Sequence, residues 1–248
     1  MKRLFTGLTD VGLLRSVNQD AYHIDPDGRF FIVADGMGGH AGGQEASRIA
    51  TQTIQTYLDE HWAADTPSQQ LLEAALLEAN QEILRDQRQH LERSDMGTTI
   101  VVVIFREEQQ PWCAHVGDSR LYRLRGAKLE QITEDHTWVA WAMKMGEISP
   151  DQARSHPLRH VLAQCLGRQD LRQIEVQPLQ VQPGDRLLLC SDGLTEELSD
   201  QIIASHLKSI RACEMAATAL INAAKDRGGR DNITVVIVAI DGLKSTDS

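Results

Sequence analysis

The stretch FFIVADGMGGHAGGQEAS, residues 30–47, joins a run of five apolar residues to an aspartate and then to a glycine-rich turn. Asp35 follows the apolar run directly, and five glycines fall between positions 36 and 43. A short apolar run bounded by turn residues is typical of a buried β-strand. The stretch therefore predicts a strand that ends on a carboxylate, with glycines that leave room around it because they have no side chain.

Two kinds of binding site fit this stretch. Residues 36–41 match the G-x-G-x-x-G/A dinucleotide pattern, which belongs between a strand and a helix. Glycines beside a carboxylate are also typical of metal sites, because they let backbone and substrate approach closely. The dinucleotide pattern further requires a second strand that ends in an acidic residue about 20 positions on, and a helical pattern occupies that stretch instead. We therefore favour the metal site.

Strand-like runs recur along the whole chain. Apolar or β-branched residues dominate the runs 30–34, 98–105, 112–116, 120–125, 129–133, 186–190 and 233–240. The turn sequences at 25–28 and 125–128 predict hairpins. Apolar residues at helical spacing predict helices over 43–61, 67–91 and 211–226. Two helices in succession after one strand differ from the alternating order of a doubly wound sheet, and favour antiparallel sheets covered by helices.

The segment 134–168 interrupts this pattern as a long, mostly helical insertion. Trp138, Trp141, Met143 and Met145 either form a face that docks substrate or pack the insertion against the rest of the domain. His156 and His160 have the spacing of a zincin zinc site, but Pro157 stands where the catalytic glutamate would be. A zinc site is therefore not predicted here.

Composition excludes several classes of function. The chain has 248 residues, with 25 basic and 35 acidic residues and a net charge of −10, which argues against a nucleic-acid partner. No apolar run reaches the roughly 18 residues of a membrane helix, and the first residues lack the apolar region of a signal peptide. The four cysteines form no CxxC motif. We expect a soluble cytoplasmic protein without a membrane partner, with one domain over 1–240 and a polar tail over 241–248.

Further aspartates occupy the same kind of position as Asp35. Asp192 follows an apolar run, Asp118 and Asp231 lie beside glycines at strand junctions, and Asp20 precedes the run at 30–34. A single Asp-Gly pair is most often an ordinary turn. If several such tips converge, their like charges repel and folding requires a compensating cation. An all-oxygen ligand set suits Mg²⁺ or Mn²⁺ rather than Zn²⁺.

Seven short motifs follow one another over about residues 4–240: Arg15 with NQDA, then DGMGGHAGG, MGTT, HVGDSRLYR, DHTW, SDGLTE and GGRDNITVVIV. In this order they resemble the motif series of bacterial type-2C metal-dependent serine/threonine protein phosphatases. Within that family the likeness is greatest to the compact PphA-type phosphatases of photosynthetic bacteria. The resemblance implies an α+β fold, the αββα sandwich, in which two antiparallel sheets pack face to face between helix pairs. Residues 134–168 would form a helical flap.

The resemblance also implies an activity. The chain would hydrolyse phosphoserine and phosphothreonine in phosphoproteins by attack of a water or hydroxide that bridges two divalent metals. The metals would be Mg²⁺ or Mn²⁺, two bound tightly and a third more weakly. The substrate would be a phosphorylated signalling protein, by analogy a nitrogen-regulatory one, and the enzyme a monomer. A non-catalytic signalling module on the same fold is the alternative, against which the intact set of aspartates argues.

The metal ligands follow from the same resemblance. Asp35 would bridge the two tightly bound ions, and Asp192 and Asp231 would complete the first. The carbonyl of Gly36 would bind the second ion. Asp118, together with Asp192, would hold the third.

Three further residues receive roles by resemblance. Asp20 would act on the metals through coordinated water. Arg15 would bind the substrate phosphate, since its planar guanidinium donates two parallel hydrogen bonds. His40 would protonate the leaving oxygen of serine or threonine, although eukaryotic relatives place this histidine directly after the Asp-Gly pair.

We predict that His40→Ala slows the hydrolysis of phosphoserine peptides more than that of nitrophenyl phosphate. A general acid matters when the leaving alkoxide is basic and much less when it is an acidic phenolate. The measurement is kcat on both substrates for wild type and variant. Equal losses on the two substrates would mean that His40 has a structural role.

Overall fold

The structure is a computed structural model that describes residues 2–39, 41–106, 110–154, 156–172 and 174–241. Its strands are β1 (Lys2–Asp10), β2 (Asp20–Ile24), β3 (Phe30–Met37), β4 (Gly97–Thr98), β5 (Ile100–Ile104), β6 (Trp112–Val116), β7 (Arg120–Arg125), β8 (Lys128–Gln131), β9 (Glu175–Pro178), β10 (Arg186–Cys190) and β11 (Ile233–Asp241). Its helices are α1 (Gly42–His61), α2 (Ser68–Gln89), α3 (Trp138–Lys144), α4 (Pro150–Arg154), α5 (Asp192–Thr195), α6 (Asp200–Ser209) and α7 (Cys213–Lys225), with a 3₁₀ turn at Leu91–Arg93.

The strands form two antiparallel sheets. The first has the order β1-β11-β10-β7-β8, and the second has the order β2-β3-β5-β6-β9 with the short β4 paired to β3. Helices α1 and α2 cover the outer face of the second sheet, and α6 and α7 cover that of the first. The layers therefore follow the predicted order, helices, sheet, sheet, helices, and the predicted fold class is confirmed.

Burial on both faces explains why the central strands are continuously apolar. Successive side chains of a strand point to opposite faces. In β3, Phe30 and Ile32 pack against the helices, whereas Phe31 and Val33 pack between the two sheets. In β11 the residues alternate in the same way between the helix layer and the space between the sheets. Each such strand contributes to two cores at once, which fixes its register.

The hairpins predicted at 25–28 and 125–128 are present, between β2 and β3 and between β7 and β8. The edge strand β1 was not predicted, because its residues are mostly half-buried and show no continuous apolar run. The insertion 134–168 is less helical than predicted, since α3 and α4 cover only part of it. Among the described residues, no helix combines the length and the apolar character needed to cross a membrane. The tail is described only as far as Asp241, where β11 ends.

Candidate metal centre

Two of the predicted aspartates meet across the hairpin of β2 and β3. Asp20 begins β2, Asp35 lies near the end of β3, and the two are direct partners in the antiparallel register. Asp20 Oδ2 accepts hydrogen bonds of 2.7 Å from the hydroxyls of Ser191 and Thr234. These two donors lie next to β10 and in β11, so the hydroxyls connect the carboxylate of one sheet to the other sheet.

The remaining aspartates come from the other strand ends. Asp192 begins α5 two residues after β10, Asp231 lies two residues before β11, and Asp118 lies between β6 and β7. Together with Asp35 they line one cavity of about 590 Å³. The same cavity is bordered by the predicted residues Arg15 and Gly36. Asp20 is buried and is not among the residues that line the cavity.

The carboxyl groups disfavour one another's charge. Burial raises the pKa of Asp35 well above its usual range, and the nearby Asp20, Asp192 and Asp118 raise it further. Burial likewise raises the pKa of Asp118, with Asp192 as the next cause. The pKa of Asp20 is raised to about 7, again chiefly by burial. Without a cation the cluster therefore resists full ionisation, and a bound cation would stabilise the ionised carboxylates.

The cluster fits divalent cations by two further observations. Asp20 Oδ1 is buried and has no hydrogen-bond partner among the described atoms, although buried polar atoms are nearly always paired. Two nearby arginines are paired with carboxylates outside the cluster, Arg120 with Asp135 and Arg230 with Glu197, whereas Arg15 bonds to Asp231 of the cluster. Carboxylate and carbonyl oxygens are the ligands that Mg²⁺ and Mn²⁺ prefer.

Gly36 and Gly43 explain the glycines of the opening stretch. A Cβ on Gly36 would lie 1.9 Å from the carbonyl oxygen of Gly43, so any side chain there would collide with backbone. A Cβ on Gly43 would in turn lie 2.7 Å from the carbonyl oxygen of Gly36. The glycines therefore let the start of α1 approach the end of β3 directly beside Asp35.

Arg15 reaches the same cluster from the turn between β1 and β2. Its Nη2 donates a 2.7 Å hydrogen bond to Asp231 Oδ2, and its side chain is 52% exposed. Asn232 holds this turn, since its Nδ2 donates to the carbonyls of Val11 and Val17 and its Oδ1 accepts from the amide of Gln19. Asn232 thus supports the turn that carries Arg15.

Thr98 and Thr99 hold the backbone of Asp35. Thr98 Oγ1 donates to the carbonyl of Asp35 at 2.8 Å. Thr99 Oγ1 accepts from the Asp35 amide at 3.0 Å and lies 2.7 Å from the hydroxyl of Ser119. The backbone of Asp35 is therefore fixed on both sides, which is how neighbours of a metal ligand set its orientation.

His136 holds the turn that carries Asp118. Its amide donates to the Gly117 carbonyl at 3.0 Å, and its Nδ1 accepts from the Gly117 amide at 3.2 Å. Gly117 has a φ of +103°, which favours glycine. His136 also lies near His115 and Glu175, a grouping with the residue types of a metal site. With Nδ1 accepting, however, the proton of the neutral ring lies on Nε2, the nitrogen that faces Glu175. This arrangement suits a structural clamp rather than metal ligation.

His160 and Glu196 are site residues that the sequence analysis did not identify. His160 lies in the insertion 134–168, and its Nδ1 is 2.5 Å from Glu196 Oε1. Both residues line the cavity that contains Asp35. Burial raises the pKa of Glu196 to about 7, with Asp192 as the next cause. Glu196 comes four residues after Asp192, one helical turn on, and this spacing was the available indication.

Two alternatives from the sequence are wrong. His156 stacks on Trp138 with ring centroids 4.8 Å apart, whereas His160 bonds to Glu196, so the two histidines do not form a zincin pair. The β3 strand pairs antiparallel with β2 and β5, which differs from the parallel unit of a dinucleotide loop. His40, the predicted acid, lies outside the described residues.

Comparison with known proteins gives a consistent result. Residues 15–234 match the family described as protein phosphatase 2C. The serine/threonine phosphatase stp of Listeria monocytogenes is 36% identical over 238 residues, which cover 94% of each chain.

Solved structures agree with this match. The Mycobacterium tuberculosis serine/threonine phosphatase PstP/Ppp superposes with a TM-score of 0.87 at 34% identity, covering 97% of this chain and 99% of that one. The catalytic domain of PstP in complex with two manganese ions gives a TM-score of 0.83 at 32% identity, covering 97% and 99%. The chain belongs to the protein phosphatase 2C family.

Proposed function

We propose that this chain is a metal-dependent protein phosphatase that hydrolyses phosphoserine and phosphothreonine in phosphoproteins. The observation that carries the proposal is the convergence of Asp35, Asp118, Asp192, Asp231 and Arg15 on one cavity. Four carboxylates and an arginine in one place combine a cation site with a hydrogen-bond donor for phosphate. Family membership and the manganese-bound PstP structure support the same chemistry.

Asp35, Asp192, Asp231 and the Gly36 carbonyl would hold the two principal cations. When bound, such a pair of ions supplies Lewis acidity and activates water for attack on a phosphate ester. Asp20 is the strand partner of Asp35, and its buried, unpaired Oδ1 would bind a water that is coordinated by the metals.

Arg15 would orient the substrate. Its guanidinium is half exposed at the cavity and bonds to Asp231, a contact that already places its donors beside the cluster. A planar guanidinium binds two phosphate oxygens at once, which fixes the direction of the scissile bond. His40 would protonate the leaving oxygen.

The activity is tested with a phosphothreonine peptide and release of inorganic phosphate. We expect hydrolysis with Mn²⁺, background rates after exhaustive chelation, and recovery on adding Mn²⁺ back, because the ligand set offers only oxygen atoms to a hard cation. An Asp192→Asn variant serves as the inactive control. Full activity after chelation would contradict the proposal.

We predict that Asp35→Asn stabilises the metal-free protein while it abolishes stabilisation by Mn²⁺. Removing one of several repelling buried carboxylates should raise the free energy of unfolding in chelator by about 1–3 kcal/mol. The gain should grow as the pH rises above the ordinary range of an aspartate, because a raised pKa in the folded state costs stability only where the unfolded carboxyl is ionised.

The measurement is denaturant unfolding with chelator and with Mn²⁺, at pH 5 and pH 8. Asp65→Asn, at an exposed aspartate far from the cluster in sequence, is the matched control and should change neither condition. An Asp35→Asn protein less stable than wild type in chelator would show that the carboxylates do not repel as described.

We also propose a weaker third ion, held by Asp118 with Asp192. It is supported by the position of Asp118 on the same cavity and by the influence of Asp192 on its pKa. Asp118→Asn should lower kcat strongly with KM little changed, the mark of an interaction made only in the transition state. Calorimetry should still show the tight Mn²⁺ binding of wild type. Wild-type kcat at saturating Mn²⁺ would leave Asp118 as a turn residue only.

Finer assignments stay predictions from the sequence. These are the PphA-type likeness, a nitrogen-regulatory phosphoprotein as substrate, a monomeric state, a cytoplasmic location, and a single domain over 1–240 with the flap at 134–168. The pairing of β1 with β11 supports the domain assignment, since the first and last strands pair along their whole length.

A further inference from the structure

Three aliphatic side chains are exposed in the turn between β1 and β2. Leu13 is 58% exposed, Leu14 is 72% exposed and Val17 is 45% exposed. We call these three residues the turn patch. Single exposed apolar residues are ordinary on protein surfaces, but three within five positions are a concentrated apolar surface.

The backbone of this turn is held firmly, so the exposure is not the result of a loose loop. The amide of Leu13 donates to the Gly229 carbonyl at 2.7 Å. Asn232 Nδ2 holds the carbonyls of Val11 and Val17 at 2.9 and 3.0 Å. Gly12 has a φ of +78°, and a Cβ there would lie 2.2 Å from the Asp231 carbonyl oxygen. The turn is therefore fixed in a form that presents its leucines to solvent.

The turn patch lies in the same turn as Arg15, which lines the cavity. Arg15 lies between Leu14 and Val17 in the chain and bonds to Asp231 at 2.7 Å. Leu13 lies over Gly229, two residues before Asp231, with its Cγ 3.1 Å from the position of a Gly229 Cβ. A molecule whose phosphate meets Arg15 therefore lies next to the chain segment that carries the turn patch.

We propose that the turn patch binds an apolar side chain of the phosphoprotein substrate, next to the phosphorylated residue. The proposal rests on the proposed function. An extended peptide advances about 3.3–3.6 Å per residue, so we expect side chains close to the phosphoresidue in sequence to meet this surface. A second copy of the chain seated there would cover Arg15 and obstruct the cavity, whereas a substrate uses both surfaces together.

The patch thereby adds affinity that small esters cannot use. Burying part of a leucine side chain contributes to the binding free energy through the hydrophobic effect. The turn patch is entirely aliphatic, so no charged group in it has to lose its water on binding. Phosphopeptides with leucine or valine beside the phosphothreonine should consequently be preferred over those with serine there.

The test compares Leu14→Ser with Leu91→Ser. Leu91 is 78% exposed in the 3₁₀ turn after α2, so the two changes remove similar exposed leucines. Two phosphothreonine peptides of equal length are used, one with leucine and one with serine at the flanking positions, together with nitrophenyl phosphate. Leu14→Ser should lower kcat/KM on the leucine peptide by about tenfold. Its rates on the serine peptide and nitrophenyl phosphate, and its Mn²⁺ requirement, should match those of Leu91→Ser.

Several results would overturn the inference. One is an equal effect of Leu14→Ser and Leu91→Ser on the leucine peptide, and another is equal rates of wild type on both peptides. A wild-type dimer that Leu14→Ser converts to a monomer in sedimentation would assign the surface to a second copy. Failure of the proposed function is distinct, because wild type would then not hydrolyse nitrophenyl phosphate with Mn²⁺.

Discussion

Repulsion between buried carboxylates is the constraint on which this structure depends. Asp20 and Asp35 are directly paired in one hairpin, and Asp192 and Asp118 raise the pKa of Asp35 further. Such a cluster is unfavourable by itself, so the rest of the fold must offset its cost. Three apolar layers supply that stability, because the central strands bury side chains on both faces.

The antiparallel sandwich also explains how carboxylates from distant parts of the chain come together. Neighbouring antiparallel strands place the end of one beside the start of the next, so β2, β3, β10 and β11 present their tips at one end of the two sheets. Hydroxyl and amide groups then fix the carboxylates. Ser191 and Thr234 bond to Asp20 across the sheets, and Thr99 accepts from the backbone of Asp35.

The turn between β1 and β2 holds both Arg15 and the turn patch through one set of backbone hydrogen bonds. Asn232 holds its carbonyls, and this anchoring presents Arg15 to Asp231 on the cavity side. The same anchoring leaves Leu14 exposed beside it. Because the turn is fixed, the proposed contacts of Arg15 with phosphate and of Leu14 with substrate would cost less conformational entropy than contacts made by a flexible loop.

The sequence by itself determined the central strands, the hairpins at 25–28 and 125–128, and the positions of Asp35, Asp118, Asp192 and Asp231 at strand ends. Local patterns suffice for these features because strand burial and turn formation depend on residues that are neighbours in the sequence. Only the tertiary structure decided the edge strand β1, whose partner β11 lies more than two hundred residues away. It also decided that His160 meets Glu196 while His156 stacks on Trp138. Such pairings depend on how residues 134–168 pack against distant parts of the chain, such as Glu196, and no local sequence period encodes that packing.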